Sequence, residues 1–495
     1  MRYNRVLIIL PSYPGSFFSS SSYLDAGVGY VSESLNVAGI DNVVFDMSLY
    51  PDRDKLMSQI QKFNPDLIGI TMRSLNFKRH YALVAEIRQR FPHIHIVAGG
   101  PHISTFREKA LHSCPELDYG VVLEGEQTIV ELCKDTLPLS EIWGLIYRNR
   151  KSDGGIAYNG DRPFCHDLDF LPLPTYSRFE LSRYKCSIPI VSSRGCPFQC
   201  IFCPVKKTIG HQYRARNPVL VAEEVEWWYQ KGYREFDFTD DNFTLIPNRV
   251  YQFCDEIARR NLKHTIFSCG NGIRADKVDR YLLTKMKQSG FYQLSFGVEA
   301  GNNQILKNIK KGETIEEIEH AIATACELGF LVRLTFLLGS PGETWKDIQD
   351  SIKVALKYPV WKFNFFNLIP FPGTELYDWI TTNNYWVVDQ EEYLNEIDHW
   401  TNKPAFETPE LSCEKRIQAY ELTHKLMITH WEKSDRNARR LVLHKRLEMK
   451  GLPTTAARFL SGMRYNDLMP AIDKRLPWFS RGLRTVTYPI RKMIS

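Results

Sequence analysis

The 495-residue sequence contains no apolar run of the length that a membrane-spanning helix needs. Its first apolar run, Val6–Leu10, is too short for the hydrophobic region of a signal peptide and is followed by Pro11. The sequence also lacks the dense cysteine pattern of a secreted protein with a disulfide framework: its 11 cysteines are an odd number at ordinary density. We therefore expect reduced thiols and a cytoplasmic protein.

Residues 1–140 lack the Gly-x-Gly-x-x-Gly motif of a dinucleotide site after their first predicted strand. They do alternate strand and helix patterns, which is typical of a parallel, doubly wound sheet. Ligands of such sheets bind at the carboxyl ends of the strands. We predict a Rossmann-like domain over 1–140, with strands at Arg5–Leu10, Asn42–Asp46, Asp66–Thr71, His93–Ala98 and Tyr119–Leu123 and helices at Val28–Ala38 and His80–Phe91.

The rest of the chain divides into three further regions. A small hairpin and a linker with several prolines are predicted over 141–186. Over 187–380 six strand–helix units follow, which predicts a partial (β/α)6 barrel, since a complete TIM-type barrel has eight. The region 381–495 is predicted to be basic and mostly helical, with an amphipathic helix over Cys413–Glu432. The fold class is therefore α/β, with barrel strands at Ile188–Ser193, Glu235–Thr239, Thr265–Cys269, Gln293–Val298, Val332–Leu338 and Phe363–Ile369.

Three cysteines follow the first barrel strand in Cys-x3-Cys-x2-Cys spacing: Cys196, Cys200 and Cys203, with Phe202 directly before the last. Three thiolates can bind three irons of a cubane iron–sulfur cluster, whereas a fully protein-ligated cluster needs four. The fourth iron then stays open, as catalytic metal sites require. A structural zinc site is the alternative, but His211 is the only nearby fourth ligand and no second Cys-x2-Cys pair exists.

Polar residues and glycines recur at the predicted carboxyl ends of the barrel strands, where parallel barrels hold their catalytic groups. They include Asp240, Arg274, Glu299 and Gly339. Each alone has an ordinary explanation, such as a helix cap or a solvated side chain. Their ordered occurrence after successive strands indicates one site at this end of the barrel.

The cysteine motif, together with the stretches around Asp240, FGVEAG, GSPGET and PFPGT, resembles the radical S-adenosylmethionine (SAM) superfamily. The resemblance implies that the open iron chelates the amino and carboxylate groups of SAM, and that one electron cleaves SAM to methionine and a 5′-deoxyadenosyl radical. It also implies roles at the site: the cysteines as cluster ligands with Phe202 beside them, Asp240 at the SAM amino group, Glu299 at its ribose or methionine part, Gly339 and Ile369–Pro370 near its adenine, and either Arg274 or Arg333 at its carboxylate.

The stretches GGPHIS (99–104) and LDYGVVLEGEQT (117–128) resemble the cobalamin-binding domain that is fused to many radical SAM enzymes. The resemblance implies cobalamin contacts at Gly99, Gly100, Glu124, Gly125 and Glu126. The Asp-x-His-x-x-Gly motif that supplies a lower cobalt ligand elsewhere is absent, so cobalamin would bind without a protein histidine on cobalt. A Rossmann-like packing domain without a corrin is the alternative.

Together the two resemblances imply a cobalamin-dependent radical SAM enzyme that methylates an unactivated carbon. The adenosyl radical would abstract a hydrogen, and a methyl group carried by cobalamin and replenished from a second SAM would be delivered to the substrate radical. A radical SAM cyclase, oxidoreductase or mutase, for example on a tetrapyrrole or lipid, is the first alternative, and a non-catalytic metal-binding scaffold is the second. Methylthiotransferases are excluded, because they carry three further N-terminal cluster cysteines and only Cys114 and Cys133 occur there.

The formal net charge of +6 is concentrated at the C-terminus. Fifteen Lys and Arg against four Asp and Glu occur from Lys433 to Ser495, so the remainder of the chain is mildly acidic. A solvated helical cap explains this balance, and peripheral contact with an anionic membrane surface is the alternative. We expect a small-molecule or lipid-like substrate, an external electron donor of the flavodoxin or ferredoxin type, and no nucleic acid.

Overall fold

The computed structural model describes residues 1–12, 23–149, 155–184 and 186–449. It is divided into two compact units, of which the first is Met1–Met427 and the second begins at Ile428. The domain boundaries expected at residues 140, 186 and 380 all fall within the first unit and stay predictions. Most of the basic C-terminal tail, residues 450–495, lies outside the described residues.

A seven-stranded sheet forms the N-terminal part of the first unit. Its strands are β1 (Arg5–Leu10), β2 (Asp41–Asp46), β3 (Leu67–Thr71), β4 (His95–Gly99), β5 (Tyr119–Val121), β6 (Leu145–Arg148) and β7 (Ile156–Tyr158). The first five pair in parallel in the order β2-β1-β3-β4-β5, and β6 and β7 continue the sheet as an antiparallel hairpin. The strand order reverses between β1 and β3, which is the position where doubly wound sheets bind ligands.

Helices cover both faces of this sheet, as the strand–helix alternation predicts. They are α1 (Ala26–Val37), α2 (Arg53–Phe63), α3 (Phe77–Arg90), α4 (Pro101–Phe106), α5 (Glu108–Ser113) and α6 (Glu126–Lys134). The buried residues Leu35 of α1 and Leu132 of α6 belong to one hydrophobic core, whereas Leu56 of α2 and Leu83 of α3 belong to the other. The Rossmann-like arrangement is thereby confirmed.

A six-stranded parallel sheet forms the second part, in the order β8-β11-β12-β13-β14-β15. Its strands are β8 (Ser187–Ile190), β11 (Glu235–Phe238), β12 (Ile266–Ile273), β13 (Phe291–Glu299), β14 (Leu331–Leu338) and β15 (Lys362–Asn367). A short antiparallel ribbon, β9 (Ser193–Arg194) with β10 (Arg214–Ala215), stands beside this sheet. The predicted partial barrel of six strands is confirmed.

Nine helices described in this part and beyond it connect and follow the strands. They are α7 (Val205–Thr208), α8 (Pro218–Gln230), α9 (Pro247–Arg260), α10 (Arg280–Gln288), α11 (Asn303–Asn308), α12 (Ile315–Glu327), α13 (Trp345–Lys357), α14 (Glu375–Thr382) and α15 (Tyr393–Glu396). A further helix, α16 (Cys413–Met449), begins where the sequence predicts and continues well past the expected end at Glu432. Within the described part of the chain, no helix is both long enough and apolar enough to cross a membrane.

The barrel strands alternate fully buried and half-buried side chains with the period of two that a strand imposes. The fully buried residues include large aromatics such as Phe238 and Phe336, which belong to the hydrophobic core. Phe238 packs edge-on against Phe253 of α9, so this row faces the helices. The half-buried row, which includes Asp237 and Arg333, therefore lines the inner face of the barrel.

The first barrel strand ends earlier than expected. β8 stops at Ile190 instead of Ser193, because the backbone N–H of Ser192 donates to the carboxylate of Asp240 rather than to a neighbouring strand. The chain then turns into the ribbon strand β9. The hydrophobic pattern of a single strand does not reveal a hydrogen bond between its backbone N–H and a distant side chain, so the sequence does not predict this early strand end.

Candidate functional site

The three cysteines lie on one segment, residues 195–213, which we call the cysteine loop. The ribbon β9–β10 closes the loop at its base, where Arg194 and Arg214 are paired. Gly195 begins the loop at a φ of 85°, and a Cβ there would clash with the backbone carbonyl of Gln212. The loop therefore starts at a tight turn that only glycine fits.

The middle of the cysteine loop is held by the barrel. The Ile201 N–H donates to the Ile309 carbonyl at 3.1 Å, and the Ile201 carbonyl accepts from the Leu376 N–H at 3.0 Å. Ile201 itself is buried. Phe202 is half-buried and packs against the hydrophobic core, so the structure gives it a packing role next to the cluster ligands.

All three cysteines are half-buried free thiols. Burial raises the pKa of each thiol, and burial raises that of Cys203 to about 12. The charges of Cys200 and Cys196 raise the pKa of Cys203 further. Such thiols ionise readily only when a metal takes the place of the proton.

Among the residues that the structure describes, no three Cys, His, Asp or Glu side chains stand close enough to hold one metal ion. A cubane cluster does not need ligands that converge on one atom, since each cysteine binds a separate iron. Three neighbouring thiols on one loop therefore fit a [4Fe–4S] cluster with one open iron.

The carboxylate of Asp240 makes all its hydrogen bonds within the protein. It is buried, and its carboxylate accepts hydrogen bonds from the backbone N–H of Ser192 at 2.7 Å and from the hydroxyls of Ser192 and Ser193 at 2.5 and 2.6 Å. Arg249 adds a contact at 3.4 Å, and the Asp240 carbonyl accepts from Asn271. Its expected contact with the SAM amino group stays a prediction, and the structure shows a role in shaping the turn before the cysteines.

The neighbouring residue, Asp241, carries no signal in the sequence that separates it from Asp240. One of its carboxylate oxygens accepts the N–H of Gly195 at 2.9 Å, directly before Cys196. Burial raises the pKa of this carboxyl to about 6. Asp241 is half-buried. Of the two adjacent carboxylates, Asp240 and Asp241, it is Asp241 that contacts the cysteine loop.

Glu299 lies at the carboxyl end of β13, as the sequence predicts. It is buried, its φ is 65°, and the ladder between β13 and β14 is irregular at this point. Its carboxylate pairs with the buried Lys311 ammonium at 3.2 Å. Burial raises the pKa of Glu299 despite this partner. A non-glycine residue with a positive φ is uncommon, so the surrounding structure must hold Glu299 in this conformation.

Lys311 is the cation that the sequence analysis missed. Burial lowers its pKa, but the carboxylates of Glu299 and Glu313, at 3.2 and 3.4 Å, raise it and prevail. The Cys200 thiol also raises the pKa of Lys311. Ile309, two residues before Lys311, accepts the Ile201 N–H of the cysteine loop, so this buried and paired ammonium group belongs to the support of that loop.

Arg274 and Arg333, left as alternatives by the sequence, are distinguished by their contacts. Arg274 donates to the carbonyls of Lys311 and Gly312 and to Asp276, and its guanidinium lies 3.5 Å from the centre of the Phe198 ring. Its hydrogen-bonding groups are thus used inside the protein to support the cysteine loop. This arrangement does not favour Arg274 as the partner of the SAM carboxylate.

Arg333 retains unused donors on the inner face of the barrel. One terminal nitrogen donates to the Gly270 carbonyl at 3.2 Å, and its Nε is buried without a hydrogen-bond partner among the described residues. Burial lowers the pKa of Arg333, and Asp237 partly offsets that effect. Of the two arginines, Arg333 is the one with capacity for a bound anion, and its role stays a prediction.

Gly339 begins the turn after β14 with a φ of 95°. Its N–H donates to the buried Glu343 carboxylate at 2.6 Å, and a Cβ on Gly339 would clash with the guanidinium of Arg416 from α16. Arg416 also reaches the Leu368 carbonyl at 3.2 Å, just before Ile369–Pro370. The Arg416 side chain thus contacts the carboxyl ends of both β14 and β15. These are the two strand ends near which the family resemblance predicts the adenine of SAM.

The predicted cobalamin contacts lie at carboxyl ends of N-terminal strands. Gly99 ends β4, and Gly100 has a φ of 95° with no room for a Cβ beside the Met72 carbonyl, at 2.9 Å. Glu124, Gly125 and Glu126 follow β5 and lead into α6. The carboxylates of Glu124 and Glu126 bind Arg194 and Arg214 of the barrel ribbon. Contact of these five residues with cobalamin stays a prediction.

Comparison with known protein families identifies both halves of this arrangement. Residues 190–355 match the radical SAM superfamily, and residues 20–133 match the B12 binding domain. The chain belongs to the radical SAM superfamily and carries an N-terminal B12-binding domain. The family resemblance inferred from the cysteine motif and from GGPHIS is thereby confirmed. Its expected cofactors are confirmed as those of the two domains: a [4Fe–4S] cluster, SAM and cobalamin.

Some relatives of this radical SAM protein are named methyltransferases and others are named cyclases. An uncharacterized methyltransferase of Pyrococcus horikoshii is 29% identical over 395 residues, covering 78% of this chain and 84% of that protein. The anaerobic magnesium-protoporphyrin IX monomethyl ester cyclase of Rubrivivax gelatinosus is 26% identical over 396 residues, covering 75% of this chain and 69% of its own length.

A solved structure confirms the fold. The radical S-adenosylmethionine methyltransferase TsrM of Kitasatospora setae, with tryptophan and a SAM analogue bound, superposes with a TM-score of 0.67 at 20% identity. The superposition covers 77% of this chain and 76% of that one. The combination of a Rossmann-like sheet and a partial barrel therefore occurs in a known radical SAM protein.

Proposed function

We propose that this radical SAM enzyme is a cobalamin-dependent methyltransferase that acts on an unactivated carbon. The single observation that carries the proposal is the loop with three neighbouring cysteines, which is joined to a B12-binding domain by direct ion pairs. The methyltransferase name of the relative from Pyrococcus horikoshii supports the reaction type. When bound, the cluster and SAM supply a carbon-centred radical and cobalamin supplies a methyl group.

The chain's own contribution is binding and orientation. Cys196, Cys200 and Cys203 would hold the cluster, and the buried pair of Lys311 with Glu299 would support the loop that carries them. Glu299 and the backbone at Gly339 lie at the carboxyl ends of β13 and β14, where they would orient SAM. Arg333 on the inner barrel wall would pair with the SAM carboxylate, and the rest of that half-buried row, which includes Asp237, would contact the substrate.

The cyclase relative defines the competing function. The enzyme from Rubrivivax gelatinosus matches over a similar length, so radical chemistry without methyl transfer is the alternative outcome. Methyl transfer through cobalamin consumes one SAM to give S-adenosylhomocysteine and a second to give 5′-deoxyadenosine. Cyclisation forms only 5′-deoxyadenosine. The two products therefore distinguish the two functions before the substrate is known.

The test is anaerobic reconstitution with iron, sulfide and hydroxocobalamin, followed by SAM and dithionite, with both products measured by mass spectrometry. We expect 5′-deoxyadenosine, together with S-adenosylhomocysteine that disappears when the corrin is left out. Deoxyadenosine alone from a corrin-loaded protein would overturn the methyltransferase proposal in favour of the alternative. No deoxyadenosine from a protein with an intact cluster would remove the proposal altogether.

Cys203→Ala is the first variant to compare with the unaltered protein. Because Cys203 binds one iron of the cluster, we expect the variant to fold and to form no 5′-deoxyadenosine. Cys254→Ala is the matched control, since Cys254 is a buried thiol of helix α9 that belongs to the hydrophobic core. Circular dichroism checks the fold, and iron content checks the cluster. Equal activity of the two variants would contradict the assignment of the cysteine loop.

The partners and location of the enzyme are part of the same proposal. A low-potential donor of the flavodoxin or ferredoxin type would deliver the electron, and the substrate would be a small or lipid-like molecule without nucleic acid. The enzyme would be cytoplasmic, and peripheral contact of the basic C-terminal region with anionic membrane surfaces is the alternative to a solvated helical cap. Co-sedimentation of the full chain with anionic but not neutral liposomes tests that contact, and equal recovery with both would reject it.

A further inference from the structure

The base of the cysteine loop contains an unusual pair. Strands β9 and β10 form a two-residue antiparallel ribbon in which Arg194 lies directly opposite Arg214. Like charges that face each other across an antiparallel pair are destabilising, because the two Cβ atoms are only about 5 Å apart. The ribbon closes the loop that carries all three cysteines, so repulsion at this point would open the loop at its base.

The N-terminal domain supplies the neutralising charges. The Glu124 carboxylate lies between both arginines, with 2.9 Å to Arg194 and 2.8 Å to Arg214. Glu126 binds the second terminal nitrogen of Arg194 at 2.7 Å. Both glutamates belong to the segment that follows strand β5 of the B12-binding domain. Two barrel cations are therefore paired by two carboxylates from the other domain.

The network is largely buried, so water can replace its partners only in part. The side chain of Arg214 is 2% exposed, and those of Arg194 and Glu124 are each 13% exposed. Arg214 also donates to the Cys165 carbonyl at 2.8 Å. Breaking a buried ion pair by removing one partner leaves an uncompensated charge, and the loss is much larger than at the surface.

We propose that Glu124 and Glu126 are positioning residues for the iron–sulfur cluster: by neutralising Arg194 and Arg214 they keep the base of the cysteine loop closed. The B12-binding domain and the cluster loop are thus coupled electrostatically, independently of any contact that these glutamates make with cobalamin. The inference depends on the cluster at the three cysteines and does not depend on methyl transfer.

The test compares carboxylate-to-amide variants of the reconstituted, full-length protein. Glu124→Gln removes the shared charge, and Glu126→Gln removes one contact to Arg194. Glu131→Gln is the matched control, because Glu131 lies on α6 together with Glu126 and forms a comparably buried ion pair with Arg162 of the linker. The measurements are the rate of iron loss to a chelator, the electron paramagnetic resonance spectrum of the reduced cluster with and without SAM, and the unfolding temperature.

We expect Glu124→Gln to lose iron about tenfold faster than the unaltered protein, as the loss of charge-assisted hydrogen bonds implies. Glu126→Gln should show a smaller increase, and Glu131→Gln none, even where the unfolding temperatures fall equally. The SAM-induced change in the resonance spectrum should weaken in Glu124→Gln alone among the three. Equal iron loss from Glu124→Gln and Glu131→Gln would overturn the proposal, because a general loss of stability would then explain both.

A double variant tests the repulsion itself. In Glu124→Gln/Arg214→Gln one of the two facing arginines is gone, so the base of the loop no longer holds an unpaired like-charge pair. We expect this double variant to lose iron more slowly than Glu124→Gln, by about threefold or more. Iron loss as fast as in the single variant, or faster, would show that the arginines do not repel each other and would reject the mechanism.

Discussion

The Glu299 side chain occupies space that is free because residue 297 is a glycine. Its carboxylate and the Lys311 ammonium both lie next to Gly297, two positions earlier in the same strand. A Cβ at Gly297 would clash with the Glu299 oxygen and would lie 3.2 Å from Lys311 Nζ. The glycine of Gly-Val-Glu therefore leaves the space that the glutamate occupies.

Gly297→Ala tests this arrangement at the residue scale. Because the new methyl group displaces the Glu299 carboxylate, we expect SAM to bind at least about tenfold more weakly, and the protein to lose about 1–3 kcal/mol of stability from overpacking. The measurements are calorimetric binding of SAM to the cluster-loaded protein and urea unfolding.

Gly69→Ala is the control, since Gly69 also lies within a strand, β3, and its Cβ would meet only ordinary contacts at 3.9 Å. We expect it to leave SAM binding unchanged. If Gly297→Ala also binds SAM normally, Glu299 does not contact SAM in the way that the family resemblance implies.

At the scale of elements, the turn between β14 and α13 depends on the buried carboxylate of Glu343. It accepts the N–H groups of Gly339 and Ser340 at 2.6 and 3.2 Å. Burial nevertheless raises its pKa from 4.5 to about 7. The folded protein thus binds a proton on Glu343 more tightly than the unfolded chain does, and the free energy of unfolding falls as the pH rises from about 4.5 to about 7.

Glu343→Gln should remove this pH dependence, because an amide accepts the same hydrogen bonds without titrating. We expect the stability of the unaltered protein, relative to that of the variant, to fall by on the order of 3 kcal/mol between pH about 4.5 and about 7. Urea unfolding at several pH values measures the difference. Glu319→Gln on the neighbouring helix α12, whose carboxylate is partly exposed, is the control. A constant difference between the Glu343 variant and the unaltered protein would refute the buried, protonated state.

The elements themselves were largely predictable from the sequence, and their contacts were not. The strand Arg5–Leu10 and the helix α3, expected over His80–Phe91 and found over Phe77–Arg90, follow from local hydrophobic periodicity, which each element carries in its own residues. Lys311 and Asp241 carry no such local signal, because their importance comes from neighbours in other elements. The pairing of Glu124 with Arg194 and Arg214 joins positions 70 and 90 residues apart in the sequence. Only the folded chain brings them together.

At the scale of the whole molecule, the B12-binding domain and the barrel share one hydrophobic core. The residues Leu35 of α1, Tyr176 of the linker and Trp228 of α8 all belong to it. Tyr176 is buried and packs against Trp228, with ring centres 6.0 Å apart. The ring also lies against Gly29 of α1, where a Cβ would be 2.5 Å from a ring carbon. The two domains therefore meet through a contact that requires a glycine.

Two glycines on α1 provide the final prediction. Alanine normally stabilises a helix relative to glycine by about 0.5–1 kcal/mol. At Gly27 a Cβ would meet only Asp25 Oδ1, at 3.4 Å, so Gly27→Ala should leave stability unchanged or increase it. Gly29→Ala should instead lower the free energy of unfolding by about 1–3 kcal/mol, because the methyl group displaces Tyr176. Urea unfolding followed by near-ultraviolet circular dichroism measures both, and the same sign of change in the two variants would show that Tyr176 does not hold the domains together through Gly29.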